Sequence, residues 1–460
     1  MNVLLIYPKA AVSEDLPLLP LGLAYLGRVI EQSGYNVKVI DLNIQSELEL
    51  EKLVPWADLA GISTVTFAYH NSKSILEKVK RIKPNIFTVM GGPHPASLPA
   101  EVLKEKFIDA IIMGEGEVSF KNLCNCIKAG QTLDSVRGAG YKKNSNIVIN
   151  PPETFIANLD DLPFPAYHLF PDLSNYSSYG QAINVQRREV RIITSRGCPY
   201  DCVFCFKSIY GNNWRARSAK NVVDEWAWAV KEHKAEQIAI VDDTFNIDIK
   251  RALEICNLVI SRDLIVPWHA PNGIRADRIT EELLVKMKKS GCFRLSFGVE
   301  SGCQEIVDGI DKKLDLKKVE ETFRLCKKTG IKTAAFFILG LPGENYRTMK
   351  KTIAFAKKLN PEHVHFTIAS PFPGTRLYNL VKKDGKLLRD WANFAGLFDG
   401  TANFQLGELT PELMEKMWRK AYRSFYLRPG FIIKKIFDPT VWRNIKKYKP
   451  SKLFHYFLGG

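Results

Sequence analysis

The stretch Ser195-Arg-Gly-Cys198-Pro-Tyr-Asp-Cys202-Val-Phe-Cys205 is the most informative part of this 460-residue sequence. Its three cysteines form a C-x3-C-x2-C pattern directly after the apolar run 190–194, which is typical of a β-strand. Closely spaced thiolates bind zinc or an iron–sulfur cluster. Structural zinc normally takes four ligands in two separated pairs, whereas three cysteines on one loop suit a cubane in which one iron has no protein thiolate. The pattern therefore predicts a [4Fe–4S] cluster with one open iron, and structural zinc is the alternative.

Strands and helices alternate around this stretch. The predicted strands are the runs 190–194, 237–241, 268–272, 293–298, 332–339 and 363–368. Six strand–helix units predict a parallel barrel that is incomplete relative to the eight-unit form, with functional groups at the carboxyl ends of its strands. Pro271 argues against a regular strand at 268–272, because proline cannot donate to a sheet.

The N-terminal part shows a second alternation. Its predicted strands are 2–7, 37–41, 59–63, 87–92 and 109–117, and a helix over 21–32 follows the first of them. This order predicts an α/β domain with a doubly wound parallel sheet, of the flavodoxin or Rossmann type, which binds ligands beyond the carboxyl ends of its strands. Glycines follow three of these strands, but none forms a G-x-G-x-x-G, so a nicotinamide cofactor has little support.

Changes in composition divide the chain into four parts. Residues 1–140 form the Rossmann-like domain, and the proline-rich and acidic segment 141–185 reads as an extended linker. Residues 186–400 form the partial barrel, and residues 401–460 form a small, helical, basic and aromatic C-terminal region.

Composition also excludes several classes of protein. Hydrophobic residues make up 46% and charged residues 25% of the chain, so packed domains are expected. No stretch reaches the ~18 uninterrupted apolar residues of a membrane-spanning helix. Residues 1–7 lack the basic start of a signal peptide, and the nine cysteines are odd in number. We therefore expect a cytoplasmic protein whose cysteines are thiols or metal ligands.

The net charge of +16 is concentrated at the C-terminus. Residues 411–460 contain twelve Lys and Arg against three Asp and Glu, together with eleven aromatic residues. One interpretation is a helical cap whose lysines extend along the surface. The other is contact with an acidic partner or, peripherally, with the anionic inner face of a membrane. Nucleic acid is not favoured, because no recognition motif accompanies the charge.

The pattern C-x3-C-x-φ-C, with Phe204 as the aromatic φ, after the first strand of a six-unit barrel resembles the radical SAM superfamily. The resemblance implies that S-adenosylmethionine binds the open iron and is cleaved by one electron, from a donor such as flavodoxin or ferredoxin. The resulting 5′-deoxyadenosyl radical takes hydrogen from an unactivated carbon. Phe204 would lie beside the adenine. The polar residues expected around the rest of S-adenosylmethionine are Asp242, Asp243, Glu300 and the segment 340–344. Their alternative interpretation is ordinary turn chemistry at strand ends.

A flavodoxin-like domain ahead of such a barrel resembles the cobalamin-binding class of that superfamily. Further matching stretches are MGGPHPASLP (90–99), MGEGE (113–117) and YLRPG (426–430). By this resemblance the cobalamin-binding residues are Ser63, Gly91, Gly92, Gly114 and Glu115. Many cobalamin proteins bind cobalt through the histidine of a D-x-H-x-x-G motif, which this sequence lacks, and we interpret His94 as a loop residue. The resemblance therefore implies cobalamin without a histidine lower ligand.

The function that this resemblance implies is C-methylation. One S-adenosylmethionine methylates cobalamin, a second yields the radical, and the substrate radical takes up the methyl group. An alternative with the same cofactors is oxidation, cyclisation or rearrangement without methyl transfer. An alternative of another class is a non-catalytic corrinoid and iron–sulfur carrier. The substrate is expected to be a small molecule, and the basic aromatic tail suggests a lipid-like one such as a polyprenyl or hopanoid compound.

Overall fold

Two large sheets organise the chain in this computed structural model, which describes residues 1–9, 17–144, 146–176, 188–390, 394 and 400–437. The described part of the first sheet has strand order β2-β1-β3-β4-β5-β6-β7. Its strands are β1 Asn2–Tyr7, β2 Asn36–Asp41, β3 Leu59–Ser63, β4 Phe87–Gly91, β5 Ala110–Ile112, β6 Ala139–Lys143 and β7 Asn146–Ile149. The first five strands are parallel, in the flavodoxin-like order 2-1-3-4-5. The predicted doubly wound sheet is confirmed.

Helices cover both faces of this sheet, which is why its strands read as continuous apolar runs. They are α1 Leu21–Gln32, α2 Glu47–Leu53, α3 Tyr69–Ile82, α4 Pro93–Ser97, α5 Pro99–Val102 and α6 Gly116–Lys128. Along β1, Val3 and Leu5 pack into a core that continues into the second sheet's domain, whereas Leu4 and Ile6 pack into a separate core on the other face. The two domains therefore share one of their hydrophobic cores.

The hairpin β6–β7 differs from the prediction. Strand β6 pairs antiparallel with β5, and β7 pairs antiparallel with β6. The hairpin thus extends the first sheet to Ile149, although residues 141–149 are part of the predicted linker. Strand β7 is only four residues long and largely exposed, and its three apolar residues, 147–149, are too few to distinguish a strand from the surrounding linker. Strand β5 is also shorter than predicted, because residues after Ile112 turn into the start of α6.

The second sheet is the predicted six-stranded partial barrel. Its order is β15-β14-β13-β12-β11-β8, and all neighbours are parallel. The strands are β8 Glu189–Ile192, β11 Gln237–Ile240, β12 Trp268–Ile274, β13 Cys292–Glu300, β14 Lys332–Leu339 and β15 His363–Ile368. Pro271 does lie inside β12. It falls where the pairing of β12 with β13 is interrupted, between Ala270 and Ile274, so the backbone N–H that proline lacks is not needed for a hydrogen bond between the strands.

Helices and short hairpins complete the barrel domain. The helices are α7 Ala219–Lys231, α8 Ile249–Ser261, α9 Glu281–Lys289, α10 Gln304–Gly309, α11 Leu316–Thr329, α12 Tyr346–Leu359 and α13 Arg376–Asp384. The two-stranded pairs are β9 Ser195–Arg196 with β10 Arg215–Ala216, and β16 Lys386–Leu387 with β17 Phe404–Gln405.

The C-terminal region begins with α14 Pro411–Tyr426 and α15 Pro429–Ile436. Helix α14 lies along the edge strand β15 and bonds to its backbone. Trp418 Nε1 donates to the Phe366 carbonyl at 2.7 Å, and the Tyr426 hydroxyl donates to the Val364 carbonyl at 2.8 Å. These bonds pair groups that an open sheet edge would leave unpaired. The helical prediction for 401–460 is confirmed from Pro411 to Ile436, whereas Phe404–Gln405 form strand β17. Residues 438–460, with Trp442 and Phe454, lie outside the described part.

Across the described residues, the structure contains no helix that is both long and apolar enough to cross a bilayer.

Candidate functional site

A cavity of about 860 Å³ lies between the carboxyl ends of the strands of both sheets. The predicted residues that line it from the first domain are Ser63, Gly91, Gly92, Gly114 and Glu115. Those from the barrel are Cys198, Cys202, Phe204, Cys205, Asp243 and Glu300. The fold thus brings eleven of the twelve individually named site residues to one cavity. Asp242 and the predicted segment 340–344 are absent from its lining. The Glu344 carboxylate instead accepts hydrogen bonds from the Gly340 and Leu341 amides.

The three cysteines lie on the loop that follows β9. The Cys198 sulfur is 3.4 Å from the Thr244 hydroxyl, and the Cys205 amide donates to the Cys202 carbonyl in a tight turn. A hydrogen bond from Cys205 and the Lys312 ammonium lower the pKa of the Cys202 thiol, although burial opposes them. Within the described residues, no three His, Cys, Asp or Glu side chains converge as ligands of one metal ion would. The thiolates of a cubane instead bind different iron atoms, so the loop's donor set fits such a cluster.

Asp242 and Asp243 follow β11 and point in different directions. The Asp243 carboxylate lines the cavity and accepts a hydrogen bond from the Gly197 amide at 3.1 Å. The Asp242 carboxylate is 2% exposed and accepts from the Thr194 amide and the Ser195 hydroxyl, each at 2.6 Å. The expectation that both aspartates face the cavity is therefore not met: Asp242 instead holds the chain that leads into the cysteine loop.

Glu300 ends β13 in a left-handed backbone conformation, with φ of +66°. Such a conformation is costly for a residue other than glycine and is typical of functional sites. Its carboxylate accepts from Lys312 Nζ at 2.6 Å, and both side chains are nearly buried at the cavity wall. A Cβ at Gly298 would lie 2.5 Å from the Glu300 carboxylate and 3.0 Å from Lys312 Nζ, so glycine leaves room for this ion pair. Lys312 was not predicted, because no sequence motif links it to Glu300.

The strand ends of the first sheet form a glycine-lined wall. Gly92 has φ of +98°, and a Cβ there would lie 2.6 Å from the Thr64 carbonyl oxygen. A Cβ at Gly91 would have only the Ile112 carbonyl oxygen as a neighbour, at 3.8 Å, so that position opens into the cavity. Glycines at these strand ends let a large flat ligand approach the backbone closely, which fits a corrin ring.

His94 is not the loop residue that the sequence suggested. It lies in α4, is fully buried, and does not line the cavity. Its ring centroid is 4.0 Å from that of Tyr69, and its Nδ1 is 3.3 Å from the Thr66 hydroxyl. Burial lowers the pKa of His94 to about 4, so the imidazole is neutral at physiological pH.

The last two barrel strands supply a further part of the cavity wall. Phe336 and Ile338 of β14, and His365 and Thr367 of β15, line the cavity. They alternate along each strand with buried residues, as expected for strands with one face toward the barrel interior. The His365 Nδ1 atom is 2.9 Å from the Tyr422 hydroxyl of α14, which orients the imidazole.

Comparison with known proteins is consistent with both halves of this site. Residues 192–356 match the radical SAM superfamily and residues 11–124 match the B12 binding domain. The chain is 34% identical to an uncharacterized methyltransferase of Pyrococcus horikoshii over 95% of each chain. It is 28% identical to an anaerobic magnesium-protoporphyrin IX monomethyl ester cyclase of Rubrivivax gelatinosus, over 94% of this chain and 78% of that protein.

A solved structure shares the fold. It is the radical S-adenosylmethionine methyltransferase TsrM of Kitasatospora setae, with cobalamin and a [4Fe–4S] cluster bound. The TM-score is 0.71 at 19% identity, covering 93% of this chain and 89% of that one.

Proposed function

The chain belongs to the cobalamin-binding class of the radical SAM superfamily, and from this premise we propose that it is a C-methyltransferase acting on a small molecule. The observation that carries the proposal is the single cavity lined by the three cysteines on one side and by the glycine-rich strand ends on the other. Methyl transfer is favoured over other radical chemistry by the 34% identity to a protein named an uncharacterized methyltransferase, which extends along nearly the whole chain.

On the barrel side, Cys198, Cys202 and Cys205 would hold three irons of the cluster. When bound, the cluster and S-adenosylmethionine supply the radical, and cobalamin supplies the methyl group. The Glu300–Lys312 pair offers one negative and one positive group near the cysteines, which suits the zwitterionic amino acid end of S-adenosylmethionine. Phe204 offers a flat apolar surface for the adenine.

On the Rossmann-like side, Ser63, Gly91, Gly92 and Gly114 would bind cobalamin without a histidine ligand to cobalt. Only two histidines lie in the first 150 residues. His94 is buried against Tyr69, and His70 is paired with Asp390 at 2.9 Å. The electron paramagnetic resonance spectrum of the bound Co(II) form tests this point, since a histidine ligand would split its lines through nitrogen.

The substrate would lie between the two cofactors, against Phe336, Ile338, His365 and Thr367. This wall is half apolar and carries two hydrogen-bonding side chains, so it suits a largely apolar molecule with a polar group. Because the cavity lies between the two domains, a bound substrate would be partly shielded from water.

Two partners complete the proposal. A flavodoxin or ferredoxin, which are small acidic proteins, would suit the chain's net charge of +16 as electron donor. Peripheral contact with an anionic membrane is supported by the side chains of Ile433 and Phe437, which are 55% and 79% exposed in the basic C-terminal region. Loss of vesicle binding on removal of residues 429–460, which leaves α14 in place, would support this contact, and unchanged binding would refute it.

The central experiment uses anaerobically reconstituted protein. We expect corrinoid and iron–sulfur absorption together, release of 5′-deoxyadenosine from S-adenosylmethionine, and transfer of label from methyl-labelled S-adenosylmethionine to a compound in a small-molecule cell extract. Deoxyadenosine without methyl transfer would favour the cyclase or oxidase alternative, which the cyclase relative also fits. Absence of deoxyadenosine would favour a carrier.

A matched pair of cysteine variants serves as the control. Cys202→Ala removes a cavity thiol and should abolish deoxyadenosine release. Cys256→Ala removes a buried thiol of α8 that does not line the cavity, and it should retain the activity.

A further inference from the structure

We propose that Glu115 and Glu117 position the cysteine loop against the Rossmann-like sheet by clamping Arg196 and Arg215, and thereby set the spacing between the two cofactors. The inference rests on the proposed function for the identity of those cofactors. It also gives Glu115 a role different from the cobalamin contact that the sequence suggested.

The contacts of the clamp cross from one domain to the other. Arg196 Nη1 donates to Glu115 at 2.9 Å, and its Nη2 donates to Glu117 at 2.6 Å. Arg215 Nη1 donates to the second oxygen of Glu115 at 2.9 Å, and the Ile156 amide donates to that oxygen at 2.8 Å. Two guanidinium groups thus balance two carboxylates, and both Glu115 oxygens are engaged.

The clamp is buried, and its geometry fixes the orientation of the groups that it joins. The side chains of Arg196 and Glu115 are 3% and 4% exposed. The Arg196 guanidinium also lies 5.5 Å from the ring centroid of Tyr25, on α1, and 5.3 Å from that of Tyr210, beyond the cysteine loop. Charged groups without access to water hold their partners strongly, and the planar fork of arginine fixes the orientation of both carboxylates.

The clamp links the two cofactor walls through very few bonds. Glu115 follows Gly114, which lines the Rossmann-like side, and Arg196 lies two residues before Cys198. Gly197, between them, has φ of +82°, and a Cβ there would lie 2.5 Å from the Asn213 carbonyl oxygen. This tight turn leaves the first cysteine little freedom to move independently of Arg196. A shift of the clamp therefore moves the cluster relative to the cobalamin wall.

The test compares Glu117→Gln with Glu189→Gln in the full chain, reconstituted with iron, sulfide and hydroxocobalamin and assayed with S-adenosylmethionine and a chemical reductant as the electron source. Glu189 is a matched control, because it is a buried carboxylate that bonds His269 and Gln237 at the opposite end of the barrel. Both variants should be destabilised, since each breaks a buried charge network. The readouts are cofactor content, the effect of the reduced cluster on the relaxation of the Co(II) signal, and two products of S-adenosylmethionine.

We expect Glu117→Gln to retain both cofactors. The effect of the reduced cluster on the relaxation of the Co(II) signal should change, because it depends on the distance between the cluster and the cobalt. Formation of S-adenosylhomocysteine, which reports methyl transfer to cobalamin, should fall by about 100-fold, the loss typical of a 1 Å misplacement. Deoxyadenosine formation, which needs only the cluster and S-adenosylmethionine, should fall much less. Glu189→Gln should match the wild type in relaxation and in the ratio of the two products.

Three results would overturn the clamp. The first is a Glu117→Gln variant whose Co(II) relaxation and ratio of S-adenosylhomocysteine to deoxyadenosine equal those of the wild type. The second is the appearance of the same changes in Glu189→Gln. The third is loss of the cluster itself in Glu117→Gln, which would make the carboxylate necessary for cluster assembly and not for spacing. Wild-type protein that takes up neither cobalamin nor iron and sulfide would instead refute the proposed function.

Discussion

Alanine substitutions at Gly91 and Gly92 should separate cobalamin binding from folding. The backbone of Gly92, with φ 98° and ψ −175°, is nearly exclusive to glycine, and a Cβ there would also meet Thr64 backbone atoms at 2.6 and 3.0 Å. Strain of about 1–3 kcal/mol and overpacking of about 1–3 kcal/mol together predict that Gly92→Ala lowers the free energy of unfolding by about 2–6 kcal/mol.

Gly91→Ala should behave differently. Its Cβ would meet only the Ile112 carbonyl oxygen, at 3.8 Å, so the free energy of unfolding should change by less than about 0.5 kcal/mol. The same methyl group would occupy the cavity wall. Overpacking against a bound corrin by about 1–3 kcal/mol would raise the Kd for hydroxocobalamin by roughly 5- to 150-fold.

The assays are urea unfolding of the cofactor-free protein and absorbance titration with hydroxocobalamin. Gly309→Ala is the control, because a Cβ there meets nothing within 4 Å and the residue does not line the cavity. Hydroxocobalamin binding by Gly91→Ala that equals binding by Gly309→Ala would refute the assignment of this wall to cobalamin.

Three further predictions concern stability. Burial raises the pKa of Glu344 to about 8, so the folded state holds a proton that the unfolded state has lost, and stability should fall by about 1.4 kcal/mol per pH unit between pH 6 and 8. Glu344→Gln should lack this slope in urea unfolding, and equal slopes would contradict the assignment. Tyr426→Phe should cost about 1–3 kcal/mol, because it leaves backbone groups of Val364 unpaired, and denaturation of the variant measures the loss. Burial lowers the pKa of His269, so its contribution to stability is present above about pH 6.5 and is lost as the pH falls, because the unfolded state takes up the proton first. His269→Gln should therefore reduce the fall in the free energy of unfolding as the pH decreases below about 6.5. An unchanged pH dependence would argue against a neutral imidazole.

The parallel strands could be predicted from sequence because they are buried on both faces. Such strands read as apolar runs, as in β1 and β14, and their order along the chain indicates the sheet. The hairpin β6–β7 could not be predicted in this way, since its strands have only five and four residues and β7 is largely exposed although three of its residues are apolar.

The site could be predicted where its residues stand in one continuous motif, as the three cysteines do. Residues that meet only through tertiary packing gave no such signal. Lys312 reaches Glu300 from beyond helix α10, and Arg196 bonds glutamates 81 and 79 positions earlier in the chain. The two aspartates after β11 show a further limit. Adjacent residues at a strand end face opposite ways, and sequence alone does not say which one meets the cavity.

The six-stranded barrel has a consequence for how such proteins diversify. A closed eight-stranded barrel fills its middle with layers of interlocking side chains, so exchanging one of them disturbs its neighbours. Here the inward residues of the last two strands, such as Phe336 and Thr367, border open volume. Their replacement alters the shape offered to an incoming molecule while the scaffold stays intact. Single substitutions at these positions can therefore change the substrate preference without repacking of the hydrophobic core.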